Sequence, residues 1–329
     1  GIQEEVSQGG GRIAGKLGLD NLVMFYDSNA IQASGSTDMA SDEDVAAKYK
    51  AWNWKVITIN GNDVSEIRSA LTEAKNEKNR PTLIIGHTQM AKGAVTIDGN
   101  ALTENLSATH GGPLGFSGAS YEKTVELLGG DIDKPFVVFP EVKELFEERE
   151  NELRTIVSQK NKAKEEWVKK HTDLAQKMER WFKGEVPAID WASIEQVQNK
   201  PTRIASGVVV DVLGQKVENI IGASADLAMS DQTGRLLKYH KAFEKGDFSG
   251  AFLQVGVSEL TMACICTGMA LHGGVIPICG TFFAFSDYMK PAIRLAALMK
   301  LPVKFIWSHD SFRIGEDGAT HQHVEQELQ

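Results

Sequence analysis

Seven short apolar runs divide the chain, and most of them end abruptly in glycine or polar residues. They lie at residues 22–26, 56–59, 82–85, 220–221, 252–257, 275–278 and 303–307. Because hydrophobicity is continuous rather than alternating within each run, the pattern is typical of strands that are buried on both faces of a parallel sheet. Stretches with helical spacing, such as 64–74 and 287–298, separate the runs. The pattern therefore predicts an α/β fold with parallel sheets, whose ligands bind where the strands end.

A charged segment rich in Glu and Lys, residues 141–183, separates two strand-rich halves. Its apolar positions recur at intervals of three and four residues, which predicts one amphipathic helix. These positions are Trp167, His171, Leu174, Met178 and Trp181. A solvated connecting helix is the first interpretation, and a partner-binding helix is the alternative. We therefore expect a first domain at 1–135, a helical linker at 136–200 and a second domain at 201–329.

The formal net charge of −9, from 35 basic and 44 acidic residues, disfavours nucleic acid as a partner, because an acidic surface repels a polyphosphate backbone. Any anionic substrate must instead be bound by a local cluster of donors. No run of about 18 apolar residues is present, which argues against a membrane span. We see no signal peptide, and we interpret Cys264, Cys266 and Cys279 as buried reduced thiols. We therefore expect a cytoplasmic protein with no nucleic-acid or membrane partner.

Two polar positions at predicted strand ends suggest binding chemistry. Asn29, with the backbone carbonyl two residues further on, suits a hard cation such as Mg²⁺, although a turn-forming Asn is the simpler interpretation. Glu259 follows the run at 252–257, where a helix begins. It is either a cap at the positive end of the helix dipole or a carboxylate held against a ligand nitrogen. The glycines at 9–11 favour a helix over a phosphate-binding loop, because no strand precedes them.

Three further segments carry aromatic or imidazole groups. The aromatic cluster at 282–288 either packs in the core or presents a face to an aromatic ring ligand. The loop at 315–321 is rich in glycine and polar, and its acid and imidazole groups suit a hydroxylated substrate. His110 stands in a rigid Gly-Gly-Pro loop, where a histidine by itself is usually just solvated.

Taken together and in chain order, five motifs resemble the transketolases, a family of thiamine diphosphate enzymes. The motifs are Phe25-Tyr26-Asp27-Ser28-Asn29, His110-Gly111-Gly112-Pro113-Leu114, Gly222-Ala223-Ser224-Ala225-Asp226-Leu227, Gly280-Thr281-Phe282, and His309-Asp310-Ser311 with Gly315-Glu316-Asp317-Gly318. The resemblance implies two parallel-sheet domains of the thiamine diphosphate-binding type, a partial diphosphate-binding domain and a pyrimidine-binding domain. It also implies reversible transfer of a two-carbon ketol unit in the pentose phosphate pathway. The donors would be xylulose 5-phosphate or sedoheptulose 7-phosphate, and the acceptors ribose 5-phosphate or glyceraldehyde 3-phosphate.

The resemblance further implies how the cofactor is held. Asn29 and the carbonyl of Ile31 would bind the Mg²⁺ or Ca²⁺ ion that bridges the diphosphate. Glu259 would hydrogen-bond the aminopyrimidine ring and favour the tautomer whose nitrogen removes the thiazolium C2 proton. Glu4 would link the two active sites of a homodimer. The other cofactor-binding positions would be Asp226, Leu227, Phe282, Phe285 and Tyr288.

For the substrate, the resemblance implies that His110 and His321 contact the reacting ketose and act with Glu259 as catalytic residues. Asp317 would bind a sugar hydroxyl group. The sugar phosphate would be bound by Arg203, Ser230 and His309, which are local donors of the kind that the negative net charge demands. In this family the active sites lie between two subunits, so a homodimer is implied.

The sequence departs from the family at several points. The family carries a metal-binding Gly-Asp-Gly directly before the position of Gly1 and extends beyond Gln329, so the resemblance implies a central fragment. Gly9 stands in place of an acidic residue of the dimer network, and Ser258-Glu259-Leu260-Thr261 stands in place of Arg-Glu-His-Ala. Two alternatives therefore stay open. One is a non-catalytic relative that binds ligands or partners, and the other is a sister enzyme such as deoxyxylulose phosphate synthase or dihydroxyacetone synthase.

Overall fold

Two parallel sheets organise the chain, one in each of its two units. The first unit is Leu19–Lys170, and the second combines Gly1–Gly18 with His171–Gln329. The computed structural model describes residues 1–102, 107–110, 113–310, 317–318 and 320–321. Helix α1 (Glu5–Leu17) contains the glycines at 9–11, as expected, and belongs to the second unit.

The first unit is built on a three-stranded parallel sheet. Its elements are β1 (Val23–Ser28), β2 (Ile31–Gln32), β3 (Gly35–Ser36), α2 (Val45–Ala51), β4 (Lys55–Asn60), α3 (Val64–Asn76), β5 (Thr82–His87), α4 (Tyr121–Leu127) and α5 (Pro140–Lys170). The strand order is β1-β5-β4, and the short strands β2 and β3 pair as an antiparallel hairpin. Central β5 is buried over most of its length because parallel strands pair with it on both sides.

The second unit carries a four-stranded parallel sheet. After α1 its elements are α6 (Thr172–Phe182), α7 (Thr202–Lys216), β6 (Ile220–Ser224), β7 (Phe252–Gln254), α8 (Glu259–His272), β8 (Ile276–Phe282), α9 (Ser286–Leu298) and β9 (Lys304–Ser308). The strand order is β7-β6-β8-β9. One core cluster between this sheet and α7 consists of Val210, Val217, Ile220, Leu236, Phe252 and Ile278. The parallel register brings the carboxyl ends of all four strands to one edge of the sheet.

The fold class predicted from the sequence is confirmed, and each of the seven predicted apolar runs overlaps a strand. The hairpin of β2 and β3 was missed, because two-residue strands show no periodicity of their own. Strand β7 ends at Gln254 rather than at residue 257. The residues between it and α8 form a turn instead.

The prediction of one helix over 141–183 is wrong. Helix α5 ends at Lys170, α6 begins at Thr172, and His171 between them has φ −132° and ψ 52°, outside the helical region. Basic residues in the last turn of α5 and Asp173 in the first turn of α6 interact favourably with the dipoles of two separate helices. Periodicity alone did not reveal this break, because the apolar spacing continues through it.

No helix of the described residues combines the length and the hydropathy that a membrane span requires. The three cysteines are free thiols. Cys266 and Cys279 are buried as expected, whereas Cys264 is half-buried, so the prediction of three buried thiols was wrong for Cys264.

Candidate active site

In the second unit, candidate residues follow the carboxyl ends of all four strands. Asp226, Leu227 and Ser230 follow β6, and Phe282 ends β8. His309 follows β9, and Glu259 follows β7 after a four-residue turn. Because the strands are parallel, one sheet edge presents groups from four separate chain segments.

An Arg–His pair lies at the end of β9. Arg203 Nη1 is 2.7 Å from His309 Nε2, and Ser308 Oγ is 2.9 Å from His309 Nδ1. Since a guanidinium can only donate, Nε2 accepts its hydrogen bond, and the imidazole carries its proton on Nδ1. Asp317 Oδ2 lies 3.8 Å from Nε2. The His309 side chain is only 6% exposed, and its backbone φ of +60° is in the left-handed region, which few non-glycine residues adopt.

The pKa of His309 is expected to respond to Arg203. Burial lowers the pKa of the imidazole below its ordinary value of 6.5, and the positive charge of Arg203 lowers it further. Arg203→Ala should therefore raise the pKa of His309, because it removes a positive charge beside the ring. An NMR pH titration of the ring proton measures the change. Lys300→Ala, which removes an exposed charge before the opposite end of β9, serves as the control. An unchanged pKa of His309 in Arg203→Ala would contradict the contact between the guanidinium and the imidazole.

An aromatic cluster surrounds this pair. The Phe282 ring stacks on the His309 ring with centroids 3.7 Å apart, and Phe285 stacks on Phe282 at 5.9 Å. His321 meets both phenyl rings edge-on, at 5.8 Å and 5.3 Å. Tyr288 lies 6.3 Å from Phe285 and is mostly exposed. The structure thus brings together the predicted aromatic pocket and three of the predicted substrate residues, Arg203, His309 and His321.

Glu259 is buried at the start of α8, with 8% of its surface exposed. It lines an open cleft of about 350 Å³, the Glu259 cleft, together with Glu5, Val6 and Gly9 of α1, Ser258, Thr261 and Tyr288. Burial raises the pKa of Glu259 above its ordinary value, and a hydrogen bond to its own backbone N–H opposes the rise. No side chain of the described residues hydrogen-bonds this carboxyl group. Glu259 is therefore a poorly solvated acid that faces an open space.

Two predicted positions lie apart from these contacts. Glu4 is the exposed N-cap of α1, and Glu5 rather than Glu4 lines the Glu259 cleft. Asp226 is exposed, with φ +67°. The turn that it begins places Leu227 N 3.2 Å from Ser224 Oγ and Ser230 N 2.8 Å from the Leu227 carbonyl.

The sequence reasoning missed a buried polar group beneath this edge. Asp231 accepts hydrogen bonds from the hydroxyls of Ser224 at 2.7 Å and Thr233 at 2.6 Å, and from Thr233 N at 2.8 Å. Burial raises the pKa of Asp231 in spite of these bonds. The bonds hold the loop after β6 in place. Nothing in the spacing of these residues distinguished Asp231 from an ordinary loop aspartate.

In the first unit, Asn29 follows β1 directly. Its Oδ1 accepts a hydrogen bond from Ile31 N at 3.0 Å, and Ala30 between them has φ +61°. This is the turn that the simpler interpretation expected, and it holds the side-chain oxygen close to the backbone of Ile31. Among the described residues, no group of three or more His, Cys, Asp or Glu could hold a metal ion. His110 is exposed, and Gly111, Gly112 and Gly315 to Glu316 lie outside the described residues.

Comparison with known proteins identifies the family. A family model described as the thiamine diphosphate binding domain of transketolase matches residues 1–187, and one described as the pyrimidine binding domain of transketolase matches residues 198–328. The transketolase of Bacillus subtilis (strain 168) is 37% identical over 337 residues, which cover 99% of this chain and 48% of the relative. The dihydroxyacetone synthase of Pichia angusta is 36% identical over 329 residues, which cover 95% and 45%.

Among solved structures, a transketolase of Pichia stipitis in complex with sedoheptulose 7-phosphate matches with a TM-score of 0.87 and 31% identity. That match covers 99% of this chain and 48% of the solved one. The chain spans about half the length of the curated relatives that it matches. Because the two family models account for almost every residue, the chain belongs to the transketolase family.

Proposed function

We propose that the protein is a transketolase, which transfers a two-carbon ketol unit between phosphorylated sugars with thiamine diphosphate as its cofactor. The observation that carries the proposal is the buried Glu259 beside an open cleft. Burying a carboxyl group is costly unless hydrogen bonds compensate, and the backbone N–H of Glu259 itself is the one group of the described residues that hydrogen-bonds this carboxyl group. A ring nitrogen of the cofactor pyrimidine would provide a further hydrogen-bond partner from the cleft, so the site fits the cofactor.

When bound, thiamine diphosphate supplies a thiazolium that accepts the electron pair released by carbon–carbon bond cleavage. Glu259 holds a proton at the pyrimidine nitrogen, and its raised pKa suits a group that shares a proton. Phe282, Phe285 and Tyr288 are the proposed aromatic walls, and Asp226 and Leu227, which follow β6, are the other proposed cofactor-binding residues. The phenyl rings exclude water from one side of the site.

Asn29 and Ile31 are the proposed metal ligands. Both provide oxygen atoms, one from a side chain and one from a backbone carbonyl, and these are the ligands that Mg²⁺ or Ca²⁺ prefers. The turn at Asn29 holds its Oδ1 at 3.0 Å from Ile31 N, so the two ligands are positioned by one local structure. The chemistry of this donor set fits a hard cation that also binds a diphosphate.

For the substrate, Arg203 and His309 are the proposed phosphate-binding residues, together with Ser230. The contact between Arg203 Nη1 and His309 Nε2, at 2.7 Å, supports this assignment. It holds a guanidinium, which can bind an anion, at the sheet edge of a protein whose net charge is negative. His110 and His321 are proposed to contact the reacting ketose, and Asp317 to bind a hydroxyl group. The Pichia stipitis relative, whose solved complex contains a ketose phosphate, supports this substrate class.

The proposal extends to assembly and location. We infer a homodimer in which Glu4 links two active sites at the subunit interface. We also infer a role in the pentose phosphate pathway in the cytoplasm, which the free thiols support.

Calorimetry of the complete gene product tests the function. We expect thiamine diphosphate to bind only when Mg²⁺ is present, and we expect turnover of xylulose 5-phosphate with ribose 5-phosphate. Absence of cofactor binding would favour the non-catalytic alternative. The similarity to a dihydroxyacetone synthase keeps a sister enzyme as the second candidate. Faster turnover with formaldehyde or pyruvate than with ribose 5-phosphate would favour that candidate.

Arg203→Ala is expected to raise the KM for phosphorylated sugars by about 10- to 100-fold, because a charge-assisted hydrogen bond contributes about 1.5–3 kcal/mol. The kcat should change little, since Arg203 binds the substrate and the transition state equally. Steady-state kinetics with Lys300→Ala as the control measure both constants. An unchanged KM would remove Arg203 from the phosphate site.

A further inference from the structure

The turn at 255–258 lacks the capping hydrogen bond that its own serine could make to helix α8. It joins β7 to α8, and Gly256 within it has φ +70°. Ser258 is the N-cap of α8, and serine is among the strongest N-cap residues. Its hydroxyl nevertheless makes no cap hydrogen bond to the helix. The position of Glu259, the next residue, therefore depends on contacts from elsewhere in the chain.

Arg12 of α1 provides those contacts. Its Nη2 donates to the Val255 carbonyl at 2.7 Å and to Ser258 Oγ at 3.3 Å, which are the first and last residues of the turn. Val255 is fully buried, and Arg12 is half-buried. No carboxylate of the described residues lies within ion-pair distance of Arg12. The guanidinium therefore makes hydrogen bonds to the turn rather than a salt bridge.

The packing of α1 on α8 fixes where Arg12 lies. A Cβ atom on Gly9 would be 2.1 Å from Thr261 Oγ1, so the two helices approach as closely as a glycine allows. Gly9 and Arg12 are three residues apart and share one face of α1. This close approach places the guanidinium directly against the turn.

We propose that Arg12 is a positioning residue, which holds the 255–258 turn so that the Glu259 carboxyl group faces the cofactor pyrimidine. The inference rests on the proposed function, because it assigns Arg12 an effect on cofactor binding through Glu259. Without Arg12, Ser258 is free to cap α8 and the turn relaxes, which moves Glu259. A displacement of about 1 Å in a catalytic group can cost roughly 100-fold in rate.

Four variants of the complete gene product test this role: Arg12→Met, Arg12→Lys, Lys16→Met and Glu259→Gln. Arg12→Met should weaken Mg²⁺-dependent binding of thiamine diphosphate about 10-fold in calorimetry, and lower kcat about 10- to 100-fold with the KM for sugars unchanged. Arg12→Lys should recover part of both, since an ammonium group can still donate to the Val255 carbonyl. Lys16→Met removes an exposed charge from the same helix and should behave as wild type.

The double variant Arg12→Met with Glu259→Gln separates positioning from a general effect on the fold. If Arg12 acts through Glu259, adding Arg12→Met to Glu259→Gln should change cofactor affinity less than about 2-fold. An equal loss in both backgrounds would overturn the proposal, as would an Arg12→Met variant that matches Lys16→Met.

Hydrogen–deuterium exchange distinguishes this inference from the proposed function. Arg12→Met should increase exchange at the backbone amides of 255–262, and Lys16→Met should not. This measurement needs no cofactor. If the wild type does not bind thiamine diphosphate, the proposed function fails, whereas unchanged exchange at 255–262 overturns the role of Arg12.

Discussion

Glu259→Gln is expected to lower kcat by about 10²- to 10⁴-fold, the usual range for loss of a group that moves or holds a proton. Glutamine has the size and shape of the buried acid, so the packing at the start of α8 should persist. The amide cannot share a proton with a ring nitrogen as a carboxyl group does. Steady-state kinetics measure the loss, with Glu244→Gln, an exposed acid of the second unit outside the Glu259 cleft, as the control. Activity within about threefold of wild type would remove Glu259 from the mechanism.

The same variant should not be less stable at neutral pH. Burial raises the pKa of Glu259, so the folded protein holds this proton more tightly than the unfolded chain does. The stability that the group contributes is therefore present at low pH and lost as the pH rises above the ordinary Glu range. Above that range the buried carboxyl group must ionise, which lowers the free energy of unfolding. Glutamine does not ionise and therefore avoids this loss. Calorimetry at pH 7 should give a Tm equal to or above that of wild type, and the difference should vanish near pH 4.

Gly280→Ala is expected to destabilise the protein by about 3 kcal/mol, at the upper end for overpacking a core. A Cβ atom there would lie 2.6 Å from Thr233 Cγ2 and 2.8 Å from Asp231 Cγ. Neither neighbour can move easily, because both side chains are fully buried and hydrogen-bonded to each other. The backbone of Gly280 is fixed too, since β8 pairs with β6 and β9 on its two sides.

Gly268→Ala is the matched control for that substitution. Gly268 lies in α8, and nothing lies within 4 Å of the position that its Cβ would occupy. Alanine is the better helix former, so this variant should gain up to about 1 kcal/mol. Urea unfolding measures both changes. A Gly280→Ala variant as stable as wild type would mean that the Asp231 loop is not held rigidly behind the sheet edge.

Much of the fold could be predicted because parallel strands leave a local signature. Each strand of the two main sheets overlaps a continuous apolar run, and α8 begins at Glu259, two residues after the run at 252–257 ends. The strand order β7-β6-β8-β9 could not be predicted, since all four runs carry the same pattern and none specifies its neighbour. The break at His171 was hidden for a related reason, because the apolar spacing is continuous across two helices.

Some residues of the candidate site could likewise be predicted from the sequence, and others could not. Motif resemblance indicated Arg203, His309 and Glu259 as candidates, and the structure brings Arg203 and His309 into contact. The resemblance did not indicate Arg12 or Asp231. Both are identified by their contacts in the folded chain, with Val255 for Arg12 and with Ser224 for Asp231.

The sequence by itself determined the class of fold, the family and the local geometry at Asn29, because each depends on residue types within a short stretch of chain. Only the tertiary structure decided which groups meet. Arg203 reaches His309 across 106 residues, and Arg12 reaches Val255 across 243. The physical reason is that such contacts arise from the order of strands and the packing of helices. The order of the strands and the packing of the helices bury the side chains of Glu259 and His309 and thereby shift their pKa values. No short stretch of sequence encodes that burial.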